Sequence, residues 1–202
     1  MTNPSPVSLD ADLIAAVKFA AAANLAYFGI EFAVALSIGS VSLFADSVDF
    51  LEDAAINILI LLALSWTAVA RARVGKLLAF VILVPAAAAL WTAWTKFGTP
   101  VAPAATPLTL TGFGALVVNF ICALRLAAHR HGSGSLTKAA FLSARNDVFA
   151  NVAIIVVGFT TLAWRSPWPD LVVGVAIGLL NAGAAWEIWS AARDEASPLP
   201  EA

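Results

Sequence analysis

One cysteine, two histidines and one tyrosine occur among 202 residues. The single Cys122 excludes an intrachain disulfide and a cysteine-rich metal cage. Charge is scarce as well: Asp, Glu, Lys and Arg make up 12% of the chain, against about 25% in an average soluble domain. The net charge of −2 gives no support to nucleic-acid binding. The opening MTNPSPVSLDADL has no Lys or Arg and carries Asp10 and Asp12, so it is a poor signal peptide. No stretch is left over for a separate soluble domain, because apolar runs fill the chain.

Hydrophobic residues reach 61%, where a soluble chain holds about 45–50%. Runs near the spanning length of about 20 residues recur. Six spans are expected, over roughly 14–38, 41–69, 74–95, 108–128, 136–164 and 169–190. The expected fold is all-α and polytopic. A transmembrane domain over 1–194 is followed by a short cytoplasmic tail over 195–202. Basic residues favour the cytoplasmic side. With the N-terminus inside, Lys18, Arg71, Arg73, Lys76, Arg125, Arg130, Lys138 and Arg193 fall inside, and Lys96 and Arg165 fall outside. Both termini are therefore expected in the cytoplasm. Trp94, Trp164, Trp168 and Trp189 lie near span ends, as interfacial tryptophans do.

The second span contains what a membrane helix should avoid. Asp46, Asp49, Glu52 and Asp53 fall within SLFADSVDFLEDAAINILILLAL. A charged group at the bilayer centre costs roughly 2.5–3.5 kcal/mol on insertion scales, so such acids are read first as a site for something positive. Asp46, Asp49, Asp53 and Asn57 share an arc of about 80° at 100° per residue, with Glu52 on its flank. In the fifth span Ser143, Asp147 and Asn151 recur every four residues. At about 1.5 Å per residue, Asp53 lies roughly 18 Å from the outer end of its helix and Asp147 roughly 17 Å from the inner end of its own. Both are near the middle of a hydrocarbon core about 30 Å thick. Asp49, Asp53 and Asp147 are thus expected to meet at one depth, where a divalent cation would offset their mutual repulsion.

The remaining polar residues have plainer readings beside functional ones. Glu31, Glu52 and Arg145 are expected as a buried structural ion pair joining the first, second and fifth spans. Asn24, Asn57 and Asn119 suit interhelical hydrogen bonding. Asp46 is read as a helix-entry cap or as an accessory to the site. Asn151 is read as an interhelical hydrogen-bonding residue or as a further accessory. His129 and His131, in the loop HRHGSGS, are either solvated or a metal entry point, because imidazole binds zinc-like ions. Asp170 follows Pro169 as a capping residue of the last helix would.

The pattern Asn24, Glu31, Gly39, Ser40, then Asp46, Asp49 and Asp53, resembles the membrane domain of the cation diffusion facilitator family. Ser143, Asp147 and Asn151 on the fifth span and WPDLVVGVAIGLL on the sixth extend the resemblance over all six spans. It implies a secondary transporter, not an enzyme, that exports zinc-like divalent ions (Zn, Co, Cd, Fe or Mn) from the cytoplasm across the cell's inner membrane by proton antiport. It implies a homodimer in a lipid bilayer and no cofactor beyond the carried metal and protons. It also implies a short form without the soluble domain that most relatives carry after the sixth helix. Asp49, Asp53 and Asp147 take the family's ligand positions. Ser143 stands where relatives have His or Asp, so the fourth ligand is Ser143, Asn146 or water. Two alternatives stay open from the residues alone: an exporter of organic cations, and an intramembrane hydrolase working with paired aspartates.

Overall fold

A computed structural model describes residues 11–63, 68–128 and 134–195, with backbone alone for parts of the helices. Six helices follow one another: α1 Ala11–Ile38, α2 Val41–Ala63, α3 Ala68–Gly98, α4 Ala105–Ala127, α5 Gly134–Trp164 and α6 Trp168–Glu195. Among the described residues there is no strand. The expected spans are all present, with ends moved by up to six residues. By length and apolarity α1, α4 and the Asn146–Trp164 part of α5 qualify as membrane-crossing. Together with the six-helix architecture they make this an all-α polytopic membrane protein. The acids of α2 keep that helix from meeting a simple apolarity criterion, although it is the most central one. It packs against all five others. The closest pairs are α1 with α2, α3 with α6, and α4 with α5.

Two apolar layers bracket the middle of the bundle. At one end Leu13 and Val17 of α1, Ile60 of α2 and Leu126 of α4 pack together. Toward the other end Ala35, Leu43, Phe44, Ala89, Leu108, Ile154, Val157 and Ile177 join all six helices. Between these layers, along α1, α2, α4 and α5, lie Asn24, Glu31, Asp46, Asp53, Asn119 and Asn151, all buried. The large apolar side chains that face outward, such as Leu25, Phe80, Phe120, Phe159 and Leu180, form the surface a bilayer covers.

The α1–α2 turn is sharp. Gly39 adopts φ +64°, a left-handed conformation that costs a side chain-bearing residue energy. Ser40 then caps α2, its Oγ accepting from Leu43 N at 3.2 Å. Asp170 completes this end and departs from its expected role. Its carboxylate accepts from Ser40 Oγ (2.6 Å), Val41 N (2.8 Å), Ser42 N (3.1 Å) and Ser42 Oγ (2.6 Å). It therefore caps α2 from α6 instead of capping its own helix. Its position in the first turn of α6 puts the carboxyl beside the neighbouring helix start, where unpaired N–H groups attract an anion. Gly174, one turn further along α6, makes the approach possible. A Cβ there would meet the Val41 carbonyl carbon at 2.6 Å.

Asp170→Ala should strip four donors of their acceptor. Hydrogen bonds to a charged group are worth roughly 1.5–3 kcal/mol each when their loss leaves buried donors unpaired. A marked fall in the thermal unfolding temperature of the detergent-purified protein is the expected result, with a smaller fall for Asp170→Asn. An unchanged melting curve for the alanine variant would show that the clasp does not hold α2 to α6.

Candidate functional site

The polar layer divides into two clusters. The first is built by α2 and α5, with a contribution from α1. Asp53 is buried, at 4% exposure. The Asp147 carboxyl lies within hydrogen-bonding range of it, so the two acids meet across the α2–α5 interface. Asp49 sits one turn before Asp53, half-buried, with Asp147, Asp46, Glu52 and Asp53 as its electrostatic neighbours. The expected meeting of Asp49, Asp53 and Asp147 is therefore a neighbourhood of like charges. It is not a finished coordination shell: among the described residues, no three His, Cys, Asp or Glu side chains are gathered so as to hold a metal ion. Chelation by all three requires side-chain rotation.

Asn24 gives this cluster its polar support. Its Nδ2 donates to Asp53 Oδ2 at 3.3 Å, near the long limit of such bonds. Its Oδ1 accepts from the Cys122 thiol at 3.8 Å. Asn57 Nδ2 donates to the Asp53 backbone carbonyl at 2.8 Å, which ties that side chain to its own helix. Asn24 was legible in sequence as interhelical glue. Its contact with a candidate ligand was not, since that depends on how α1 is rotated against α2.

The second cluster lies toward the Gly39 end, the outward end by the charge bias. Asn119 Nδ2 on α4 donates to Asn151 Oδ1 on α5 at 3.0 Å. Asn151 Nδ2 donates in turn to Asp46 Oδ2 on α2 at 2.7 Å. Asp46 is fully buried, so it is neither a helix-entry cap nor a surface residue. Asn151, read as an interhelical hydrogen-bonding residue or as an accessory to the site, bonds to Asn119 on α4 and Asp46 on α2. Glu31 completes the cluster from α1. It is fully buried, and neither carboxyl oxygen has a hydrogen-bond partner. Its nearest charged neighbour is Asp46. The expected ion pair of Glu31, Glu52 and Arg145 falls on the Arg145 side chain, which lies outside the described residues; Glu31 itself accepts no hydrogen bond. Helix rotation sets Glu31 beside Asp46, an acid beside an acid.

The other expectations fall at the margin of this geometry. Glu52 is buried on the flank of α2, among the charges that reach Asp49 and Asp147. Asn146 has an exposed side chain, although it adjoins Asp147 in sequence. The side chains of Ser143 and Arg145 lie outside the described residues, as do His129 and His131 altogether. By helix register Ser143 is one turn from Asp147 on α5.

A membrane helix bundle that buries two clusters of acids is suited to carrying positive charge. Comparison with known families decides which kind. The family described as the cation efflux transmembrane domain matches residues 17–195. The chain belongs to the cation efflux family. It is accordingly a transporter of metal cations in a membrane, from a family of transporters and not of enzymes. A search of curated proteins gave no match.

For a cation efflux protein built this way, substitution should separate ligands from their supports. Asp53→Asn and Asp147→Asn should remove measurable metal binding by the purified protein. Asn24→Ala should weaken it about tenfold, the usual scale for losing an outer-shell partner of a ligand. Calorimetric titration reads both. Wild-type affinity in Asp147→Asn would take α5 out of the site.

Proposed function

We propose that this chain is a secondary transporter that exports divalent transition-metal ions from the cytoplasm in exchange for protons. The observation that carries the reading is the contact between Asp53 and Asp147 across two helices, with Asp49 beside them. Asp49, Asp53 and Asp147 are the proposed metal ligands, with Ser143, Asn146 or water as a fourth. His129 and His131 remain a proposed entry point, and a homodimer in the cell's inner membrane the proposed setting. Carboxylates hold either a metal ion or protons, and metal binding needs them deprotonated. Binding therefore expels protons, and a proton gradient can drive metal release. Ligands drawn from α2 and α5 suit alternating access, because any slide of one helix against the other breaks the set.

The test is transport by the purified protein in sealed vesicles. Zinc, cobalt, cadmium, iron and manganese are supplied in turn, with a metal-sensitive dye inside and a pH dye to follow protons. Uptake of at least one ion with opposite proton flow is expected. Asp49→Asn, Asp53→Asn and Asp147→Asn should each fall to the rate of empty vesicles. Apparent affinity should rise with pH as the carboxyls lose their protons. Vesicles that move organic cations but no metal would return the site to the organic-cation alternative. The hydrolase alternative has no support from the family.

Ser143 sets the selectivity expectation. A site of carboxylates with a hydroxyl, amide or water is all oxygen. Oxygen donors suit manganese and its neighbours as well as zinc, while imidazole favours zinc, copper and nickel. Ser143→His should therefore raise zinc transport over manganese or iron in paired-ion competition. If the ratio does not move, position 143 does not reach the metal.

A further inference from the structure

Glu31 is the most anomalous side chain of the bundle. It shows 0% exposure and sits deep in α1, with no donor for either oxygen. The group it faces is another fully buried acid. Asp46 uses Oδ2 to accept from Asn151, and its Oδ1 has no donor either. Asn119, at the far end of the same chain, buries an unpartnered Oδ1. Among the described residues, Tyr27, Asn119 and Asn151 direct their donors elsewhere. Tyr27, one turn before Glu31, gives its hydroxyl to the Thr111 carbonyl at 2.6 Å. Asn119 and Asn151 have each spent an amide N–H on the next member of the chain. Among the described residues the charged groups that act on the pair are themselves acids, Asp49 on Glu31 and Asp147 on Asp46. Two adjacent carboxylates cannot both stay ionised without a partner in such surroundings. One proton shared between them supplies the missing donor and halves the charge.

We propose that Glu31 and Asp46 form a proton-carrying pair, distinct from the metal ligands and outward of them, which holds one shared proton while the ligand carboxyls are free of metal. The proton leaves to water when a divalent ion settles on Asp49, Asp53 and Asp147, and returns from water when the ion departs. No bond other than O–H is made or broken. Asp46 stands one turn from Asp49 on the same helix, near enough for the ion's field to expel the proton. The side-chain amides of Asn119 and Asn151 hold Asp46 in place from α4 and α5. Glu31 is then a positioning and proton-holding residue that does not touch the metal. This inference rests on the transport reading for its physiological purpose, but the pair itself is testable without transport.

Two measurements on purified full-length protein decide it. Infrared difference spectra of wild type against Glu31→Gln, at neutral pH, should show a protonated-carboxyl carbonyl band that is absent in the variant and lost from wild type on adding zinc. Calorimetry in buffers of different ionisation enthalpy should count about one proton fewer released per zinc ion by Glu31→Gln, with zinc binding retained. Should Glu31→Gln not fold, Asp46→Asn gives the same readings. An unchanged band and an unchanged proton count overturn the proposal. So does a second zinc ion per chain that disappears in Glu31→Gln, because the pair would then be a cation site. If the expected band and proton count appear while wild type carries no metal in vesicles, the pair stands and the transport reading fails. If wild type carries metal and Glu31→Gln matches it in proton count, the pair alone fails.

Discussion

Burial of carboxylates in an apolar bundle governs most of what this molecule can do. Glu31, Asp46, Asp49, Glu52, Asp53 and Asp147 all sit on membrane helices, four of them buried. On insertion scales six ionised groups at mid-membrane would together cost on the order of 15–20 kcal/mol. That exceeds the whole folding stability of an ordinary domain, about 5–15 kcal/mol. The bundle therefore cannot hold all six charged and unaccompanied. Each needs a proton, a cation or a hydrogen-bonding partner to offset its burial. An acid-rich centre makes such partners a condition of stability.

The position of α2 makes the arrangement workable. It touches every other helix, and it supplies four of the six acids. Its start is fixed by Asp170 of α6 and by the close approach at Gly174. Its middle meets α1 through Asn24 and α5 through Asp147 and Asn151. One end is thus pinned by a dense set of charge-assisted bonds, while the acid-bearing part is held by single contacts. A slide of α5 along α2 would separate Asp147 from Asp53 without breaking the clasp. The bonds most exposed to such a motion are those that define the site.

Much of this was legible before the structure. A spacing of four placed Asp49 with Asp53 on one helix face, and a rise of 1.5 Å per residue put Asp53 and Asp147 at one depth. Both inferences use properties of a single helix. What failed needed two. Asp170 reads as the cap of its own helix because capping rules are local, yet it caps a helix 128 residues away in sequence. Glu31 lies against Asp46 because of how α1 is rotated on α2, which no single-helix rule sets. The Asn119–Asn151–Asp46 chain crosses three helices, and no periodicity within one segment could reveal it.

The two acid clusters differ in access, and the difference follows from where each sits on α2. Asp49 and Asp147 are half-buried, which makes the first cluster the more open of the two. Glu31 and Asp46 are sealed at 0% exposure beneath Phe44 and the rest of the apolar layer. A metal ion brings a coordination shell of several oxygens, which the sealed pair has no room to supply from its own partners. A proton needs two oxygens and a short path. Two clusters one helical turn apart can therefore respond to each other's charge and still take different cargo. In the proposed scheme, selectivity between metal and proton comes from enclosure, since both clusters offer the same carboxylate chemistry.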